Sequence, residues 1–202
     1  AYEIGSGLVG AEMCIRDRGL ADGYFVLPYT IQNYLSDQIT VPRFSTDTKE
    51  FDEAEAKCIA AQEKLLKTNG KRSVDSIHKE LGHVMWEYVG MARNEEGLKI
   101  ALQRLKEIRK EFETNLYVPG TAEGMNVELD KAFRLNDFIT MGELIAYDAL
   151  NRNESCGGHF REEYQTEEGE AKRDDANYFY VSCWDYQGSD EKAPELIKEP
   201  LH

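Results

Sequence analysis

The sequence has no surplus of basic residues. It carries 24 lysines and arginines against 38 aspartates and glutamates, which gives a formal net charge of −14 at pH 7. A protein that binds nucleic acid needs a clustered basic surface to neutralise phosphates, so this balance argues against a nucleic-acid partner. The same negative charge disfavours unaided binding to a surface of anionic lipids.

Long apolar runs are also missing. A membrane-spanning helix needs roughly 20 consecutive apolar residues, whereas the longest candidate here, residues 24–29, is short and contains Pro28. Direct insertion into a membrane is therefore not expected. The first residues lack the apolar core of a signal peptide. Position 1 is Ala rather than Met, so we expect the sequence to begin inside a longer reading frame.

Closely spaced cysteines are absent as well. Cysteines occur at positions 14, 58, 156 and 183, too far apart for a C-x-x-C metal or redox pair. Reduced thiols in a cytoplasmic protein are the favoured interpretation. His78 and His83 are five residues apart on one predicted helix, which points their rings in different directions. No metal site is therefore predicted.

What the sequence does contain is enough apolar material for a core, since 41% of its residues are hydrophobic and 10% are aromatic. Apolar residues recur at helical spacing in several segments, and residues 178–186 are rich in aromatic and β-branched types, which is typical of a strand. The prediction is a mainly α fold, an antiparallel three- to four-helix bundle with a small C-terminal β-hairpin appendage. The predicted segments are a non-native or unstructured leader at 1–18, a helix and connector at 19–46, the helical bundle at 47–152 and a loop and hairpin tail at 153–202.

Proline, glycine and helix-capping residues define the predicted helix boundaries. Pro28 is expected to kink or end the first helix. Asn69-Gly70 is a predicted helix stop, and Ser73 is the predicted N-cap of the helix that follows. Residues 117–121 are predicted to form a loop. The predicted helices cover about 19–39, 48–68, 73–91, 95–115 and 126–152.

A G-x-G-x-x-G pattern occurs at Gly5, Gly7 and Gly10. Such glycines can bring a backbone close to a pyrophosphate at a helix N-terminus. Only a short stub precedes the pattern, however, and the second strand that should end in an acidic residue about 20 residues later is missing. Residues 8–18 resemble the translation of a sequencing adapter. Residues 5–18 are therefore interpreted as non-native, and no cofactor-binding residue is predicted.

The polar stretch after the last predicted helix holds the strongest site candidates. It contains two neighbouring glycines, and loops held by a rigid scaffold often carry function. The favoured interpretation is nevertheless structural, a network of charges that pins the tail. A thiolate–imidazole pair of Cys156 and His159 would need an awkward geometry, so no catalytic residue is predicted. The candidate residues, with a structural role preferred, are Glu154, Ser155, His159, Arg161, Arg173, Asp174 and Asp175.

Three stretches, in this order and spacing, carry a resemblance to a known family. Residues 81–98, LGHVMWEYVGMARNEEGL, are similar to its helix pair, and residues 149–161, ALNRNESCGGHFR, resemble its E-S-R-G-x-H element. Residues 173–179, RDDANYF, resemble the R-D-D-x-N-[FW] that follows. From about residue 19 onward the chain thus resembles the C-terminal portion of the succinate dehydrogenase/fumarate reductase flavoprotein family. Cys156 stands where that family usually has Arg, so any ion pair made by that Arg must be absent or replaced here.

The resemblance implies that the complete parent is an FAD-dependent oxidoreductase that interconverts succinate and fumarate. In the family, an upstream flavin domain holds FAD, usually covalently through a histidine. Electrons then pass to an iron–sulfur subunit and, through it, to a membrane anchor subunit. The implied location is cytoplasmic, peripheral on the inner face of the bacterial cytoplasmic membrane, and the segment at 19–46 would come from the end of the flavin domain.

No FAD-linking or dicarboxylate-binding motif of the family is visible in this chain. The piece alone is therefore expected to bind no FAD and to be catalytically inactive. Two other interpretations remain open. One is the tail of an L-aspartate oxidase-like flavoprotein, which shares an E-S-R-G-type element. The other is a free-standing helical interaction module without an enzyme attached.

Overall fold

The computed structural model describes residues 19–188, 192 and 194–201. The predicted leader at 1–18 and its glycine pattern lie outside these residues. The helices are α1 (Leu27–Leu35), which continues a π-helical turn at Asp22–Val26, α2 (Lys49–Thr68), α3 (Val74–Tyr88), α4 (Glu95–Asn115), α5 (Val127–Asn151) and the short α6 (Asp175–Tyr178). The strands are β1 (Arg72–Ser73), β2 (Leu116–Tyr117), β3 (Tyr180–Asp185) and β4 (Glu195–Pro200).

The C-terminal strands β3 and β4 pair antiparallel, with Tyr180 opposite Pro200 and Asp185 opposite Glu195. The prediction of a mainly α fold with a small C-terminal strand pair is therefore confirmed. The strand begins later than predicted, because residues up to Tyr178 form the short helix α6. Asp174 caps that helix by accepting a hydrogen bond from the Asn177 N–H group, which holds the chain in a turn just before β3.

Side-chain caps start the three helices that carry the core. The Ser73 hydroxyl accepts from the Ser76 N–H group at the start of α3, as predicted. Asn94 accepts from Gly97 at the start of α4, and Asn126 accepts from Leu129 at the start of α5. Each cap satisfies one of the N–H groups that the first turn of a helix leaves without a partner. At the other end of α2, Asn69 adopts φ = 47° and stops the helix where the sequence predicted a stop.

One hydrophobic core joins α3, α4 and α5. The apolar stripes predicted from the sequence are the faces that turn inward. α2 adds only its last turns, through the half-buried Leu65 and Leu66. The fully buried apolar side chains of α3–α5 are Val74, Ile77, Leu81, Val84, Leu98, Ala101, Leu105, Ile108, Phe112, Leu129, Ala132, Leu135, Ile139, Ala146 and Ala149.

The prediction of a loop starting at residue 117 is wrong at its first residue. β2 pairs in parallel with β1, so that Arg72 lies opposite Leu116 and Ser73 opposite Tyr117. This pairing ties the start of α3 to the end of α4. A two-residue strand has no periodicity, and its partner lies far away in sequence, so local pattern does not reveal it.

Pro28 was expected to kink or end the first helix, and it does not end it. It lies in the first turn of α1, directly after the π-helical turn Asp22–Val26. The helix is continuous through this point, since the Leu27 N–H group donates to the Asp22 carbonyl across the π-helical turn. Such a turn is a common irregularity within an α-helix. The helix then continues to Leu35, short of the predicted end at residue 39.

Every residue from 23 to 60 is exposed. This part of the chain covers α1 and the first half of α2, and it presents a series of large apolar side chains without a core to receive them. Within the described residues, no helix is long and apolar enough to cross a membrane. The most exposed of these side chains are Tyr24, Phe25, Tyr29, Tyr34, Ile39 and Phe44.

Candidate functional site

A cluster of charged side chains lies where α5 ends and the polar tail begins. Glu154, Ser155 and Arg161 in it are 2%, 0% and 1% exposed. Groups of this kind are costly to bury unless they are paired and hydrogen-bonded, so their partners define what the site can do. The name polar cluster is used below for these residues and their neighbours: Arg93, Asp148, Arg152, Glu154, Ser155, His159, Arg161 and Glu163.

Arg161 closes the C-terminal end of α5. Its Nη1 donates to the Ala149 carbonyl oxygen at 2.9 Å and lies 3.4 Å from that of Leu150, two acceptors in the last turn of the helix. Its Nε donates to Glu163 at 3.1 Å, and its guanidinium lies 5.4 Å from the centre of the Tyr164 ring. A cation at this end satisfies free carbonyls and opposes the negative end of the helix dipole.

A tight turn brings Arg161 back to the helix. The Ser155 hydroxyl accepts from the Arg161 N–H group at 2.8 Å and donates to the Arg161 carbonyl at 3.1 Å. Inside this loop, Cys156 and His159 exchange two backbone hydrogen bonds, and Gly157 adopts φ = 58°. Only a residue without Cβ takes that angle at no steric cost, so the glycine at this position has a clear conformational reason.

His159 uses both ring nitrogens, and neither faces Cys156. Nδ1 lies 3.0 Å from Nη1 of Arg93, and Nε2 lies 2.9 Å from the Arg152 carbonyl oxygen. A guanidinium can only donate, so Nδ1 accepts and Nε2 carries the proton that it donates to the carbonyl. The thiolate–imidazole pair considered from the sequence is therefore not formed.

Burial lowers the pKa of His159, and the nearby cations of Arg93 and Arg161 lower it further. The Arg152 carbonyl and Asp148 oppose these effects without outweighing them. The ring is thus held as a neutral imidazole, a state consistent with its acceptor bond to Arg93.

Glu154 links the end of α5 to the R-D-D segment. One oxygen accepts from Arg152 Nε at 2.8 Å, and the other accepts from the Asp174 N–H group at 2.8 Å. Arg173 and Asp175 instead pair with each other in solvent at 2.7 Å, with side chains 56% and 61% exposed. The candidate residues thus divide into a buried group and an exposed surface pair.

Sequence reasoning missed Arg93, Arg152 and Glu163. Arg93 lies in the turn between α3 and α4, where its N–H group donates to Phe160 and its carbonyl accepts from Glu162. Glu163 accepts from the first N–H group of α4, that of Glu95. Partial burial raises the pKa of Glu163, but this bond and the Arg161 cation bring it below its ordinary value. Arg93 falls within the motif at residues 81–98, so a signal for it was present in the sequence.

The C-terminal strands attach to the same end of α5. The Trp184 indole N–H group donates to Asp148 at 2.9 Å, and the ring meets that of Tyr147 edge-on at 5.0 Å. The Arg152 guanidinium lies against the rings of Tyr178 and Tyr180, at 5.7 and 5.4 Å. Aromatic and cation–π contacts of this kind hold the strand pair to the helical part.

The buried polar atoms of the cluster are bonded within the protein. In the described part of the chain, every buried side-chain nitrogen and oxygen has a hydrogen-bond partner. The same residues contain no group of His, Cys, Asp and Glu that could hold a metal ion. Open concavities lie elsewhere, beside Tyr88 and Gly97 and beside Pro119 and Met125. The chemistry that the cluster supports is therefore the fastening of the tail to the helices.

The sequence is similar to those of known flavoproteins. A profile of the family described as "Fumarate reductase flavoprotein C-term" matches residues 78–202. An uncharacterised FAD-dependent oxidoreductase of Methanocaldococcus jannaschii is 34% identical over 102 residues, 50% of this chain and 18% of that protein. The fumarate reductase flavoprotein subunit of Haemophilus influenzae is 29% identical over 150 residues, 74% of this chain and 24% of that protein. An L-aspartate oxidase of Nicotiana tabacum is 35% identical over 89 residues, 44% of this chain and 13% of that protein.

A solved structure shares the fold. The E. coli quinol fumarate reductase aligns with a TM-score of 0.62 at 23% identity, over 80% of this chain and 26% of the other. The chain spans about a quarter or less of the length of the curated relatives named above. Because the profile match covers more than half of its residues, the chain belongs to the fumarate reductase flavoprotein family, whose C-terminal part it matches.

Proposed function

We propose that this chain is the C-terminal helical part of an FAD-dependent flavoprotein subunit that interconverts succinate and fumarate, and that its own role is structural. The observation that carries the proposal is the polar cluster. It lies within the matched residues 78–202, it contains the predicted family element, and each of its buried side-chain nitrogens and oxygens has a hydrogen-bond partner within the protein. A cluster whose buried polar atoms are paired in this way fastens chain segments to one another.

The described residues do not fit an FAD molecule. A dinucleotide site needs a strand, a glycine-rich turn and a helix whose free N–H groups face the pyrophosphate. Here α3, α4 and α5 each begin with a side-chain cap. α5 does follow β2 through a loop that contains Gly120 and Gly124, but β2 has only two residues and the Asn126 cap already occupies an N–H group of the first turn of α5. In this proposal FAD belongs to the upstream flavin domain of the parent. The relatives described as an FAD-dependent oxidoreductase and as a flavoprotein subunit support its presence there.

The exposed segment 23–60 is the proposed junction with that flavin domain, to which its residues up to 46 belong. Its apolar side chains have no core partner in the described chain, as expected of a surface that another domain covers. In this assignment residues 19–46 are the end of the flavin domain, 47–152 an antiparallel helical bundle and 153–202 the tail. An iron–sulfur subunit and, through it, a membrane anchor subunit are the proposed partners, at the inner face of the cytoplasmic membrane.

A second candidate is the tail of an L-aspartate oxidase. The observation in its favour is the tobacco L-aspartate oxidase, whose 35% identity exceeds the 29% of the Haemophilus fumarate reductase subunit, although over a shorter segment. Such a parent would oxidise L-aspartate with oxygen and would need no iron–sulfur partner. The third possibility is a helical interaction module without an enzyme. The internal bonding of the polar cluster is compatible with it, but it does not explain why the relatives are flavoproteins.

The decisive experiment uses the complete polypeptide that contains this chain, co-expressed with its neighbouring subunits. Fumarate reduction is measured with reduced benzyl viologen, succinate oxidation with an artificial electron acceptor, and L-aspartate oxidation by release of hydrogen peroxide. We expect the first two activities and not the third. Peroxide release from L-aspartate alone would support the second candidate, and flavin-loaded protein inactive in all three assays would contradict both enzyme assignments.

A smaller experiment tests the division of labour. Residues 1–202 and 19–202 are each mixed with FAD, desalted and examined for flavin absorbance. We expect no flavin on either protein. Stoichiometric flavin on the longer protein only would make the glycine pattern at residues 5–10 a working site and would overturn the interpretation of residues 5–18 as non-native.

A further inference from the structure

The His159 ring accepts a hydrogen bond at Nδ1, and protonation of that nitrogen would abolish the bond. We propose that His159 is an acid-sensitive latch that holds the loop of residues 154–164 to the turn between α3 and α4. The neutral ring closes the latch and the imidazolium opens it. The proposal concerns regulation of the fold and does not depend on which reaction the parent catalyses.

The closed state needs an unprotonated Nδ1. Arg93 donates to that nitrogen at 3.0 Å, and Arg93 has no acceptor atom on its side chain to offer in return. A protonated Nδ1 would place an N–H group against an N–H group, so the contact would turn from a hydrogen bond into a repulsion between two cations. The bond from Nε2 to the Arg152 carbonyl at 2.9 Å can persist in both states, so one side of the ring acts as a hinge.

The charges around the ring reinforce this dependence. The α3–α4 turn presents Arg93 and α5 presents Asp148, while the loop itself contributes Arg161. Arg152 faces the ring through its carbonyl, and Cys156 contacts His159 through the backbone. The cluster holds the cations of Arg93, Arg152 and Arg161 and the carboxylates of Asp148, Glu154 and Glu163. These charges balance with a neutral His159, and a proton on the ring would leave an uncompensated positive charge at a half-buried position.

Opening of the latch would release a defined junction between the loop and the α3–α4 turn. Loop and turn are joined beside the ring by two backbone bonds, from Arg93 to Phe160 at 3.1 Å and from Glu162 to Arg93 at 2.7 Å. Loss of the Arg93 contact therefore weakens the junction at which the loop meets α4. The tie between Glu154 and Asp174 connects the same loop to the start of α6, while the C-terminal strands keep their own anchor on α5 through Trp184 and Asp148.

The sign of the pH dependence follows from linkage. Because the folded-state pKa of His159 lies below the ordinary 6.5, the open state binds a proton more readily than the closed state. The latch is fully closed above the ordinary value and loosens as the pH falls toward the folded-state pKa. Between these two values the opening equilibrium is expected to rise about tenfold per pH unit.

The first test is a ring titration by NMR on the full chain labelled with ¹⁵N-histidine, with the His159 signals assigned from the His159→Gln variant. Near pH 8 we expect a bare Nδ1 and a protonated Nε2, and a titration midpoint below 6.5. The opposite tautomer, or a midpoint at or above that value, would overturn the latch.

The second test follows amide protection factors of residues 154–164 by hydrogen exchange between pH 8 and 5, with α4 as the internal reference for global unfolding. We expect the loop's protection to fall about tenfold per pH unit between pH 6.5 and the midpoint of the ring titration, while that of α4 stays level. In His159→Gln, whose amide can accept from Arg93 and donate to Arg152 without titrating, protection should be independent of pH, whatever its level. His83→Gln, at an exposed position on α3, should behave as the unmodified chain. A fall of unchanged size and midpoint in His159→Gln would contradict the proposal.

Discussion

At the scale of single residues, the main contrast is between charged side chains that are buried and charged side chains that are exposed. Arg161 is enclosed and bonds to backbone carbonyls, a carboxylate and a ring face. Arg134 is 67% exposed and pairs with Asp130 one turn away on α5. Both are arginines with an acidic partner, but solvent already satisfies one of them, so their contributions to stability should differ.

We expect Arg161→Lys to lower the free energy of unfolding by about 2–3 kcal/mol, since hydrogen bonds to charged groups are worth about this much. An ammonium lacks the planar fork that serves Ala149 and Glu163 together. Urea unfolding monitored by circular dichroism gives the midpoint and slope of both variants. Arg134→Lys is the matched control and should change stability by less than about 0.5 kcal/mol. Equal effects of the two variants would contradict a special role for Arg161.

At the scale of elements, two junctions position the parts of the fold. The β1–β2 pairing joins the start of α3 to the end of α4, and the Trp184 anchor joins the terminal strands to α5. Each junction depends on one residue for a simple reason. Gly70 allows its backbone to approach that of Asn115 closely. Trp184 supplies both an apolar ring and a hydrogen-bond donor.

Gly70→Ala should destabilise the fold by about 2–3 kcal/mol, as expected when an added methyl group forces packed atoms apart. A Cβ at this position would lie 2.1 Å from the carbonyl carbon and oxygen of Asn115, so β1 and β2 could not keep their pairing. Gly82→Ala is the control, because that glycine is exposed in α3 with nothing within 4 Å of an added Cβ. It should stabilise by about 0.5–1 kcal/mol through helix propensity. Thermal unfolding of both variants measures the difference, and a neutral Gly70→Ala would refute the close approach.

Trp184→Phe should loosen the terminal strands while leaving the core intact. The phenylalanine keeps part of the contact with Tyr147 but cannot donate to Asp148, a loss of about 1 kcal/mol. Hydrogen exchange should show faster exchange in β3 and no change in α4. Trp86→Phe provides the matched control, because Trp86 is 86% exposed on α3. The Trp184 anchor would be ruled out if both variants left β3 equally protected.

At the scale of the whole molecule, stability is distributed unevenly. The core joins α3, α4 and α5, whereas residues 23–60 bury nothing. Regions with few buried apolar contacts open locally at low cost, even when the rest of the protein stays folded. The chain alone should therefore behave as a stable helical unit with a loosely held N-terminal part.

Hydrogen exchange should reveal this division in the isolated chain. We expect amides of residues 23–60 to exchange on the order of a hundredfold faster than those of α4. Trypsin should cut at Lys57 before it cuts at Arg104, which lies on α4. In the complete parent protein the same segment should become protected if the flavin domain covers it. Protection in the isolated chain equal to that of α4 would show that the segment already has a partner.

Much of this architecture was open to prediction because it depends on local patterns. Apolar residues at helical spacing located α3, α4 and α5 within a few residues, and Ser73 and Asn69 marked a start and a stop through their own backbone and side-chain chemistry. The alternating aromatic and β-branched residues located β3. The family motifs likewise marked Glu154, Ser155, His159 and Arg161 as members of one element.

The remaining features depend on segments that are distant in the chain. No local pattern indicates that Gly70 packs on Asn115, or that Arg93 reaches across 66 positions to His159. On sequence alone, Arg173, Asp174 and Asp175 are site candidates on the same grounds as Arg161. In the folded protein Arg161 is buried beneath the end of α5. Asp174 holds Glu154 through its backbone N–H group only. The ion pair of Arg173 and Asp175 stays exposed to water. Burial and partner choice are properties of the packed molecule, because desolvation and hydrogen-bond geometry exist only once distant segments meet.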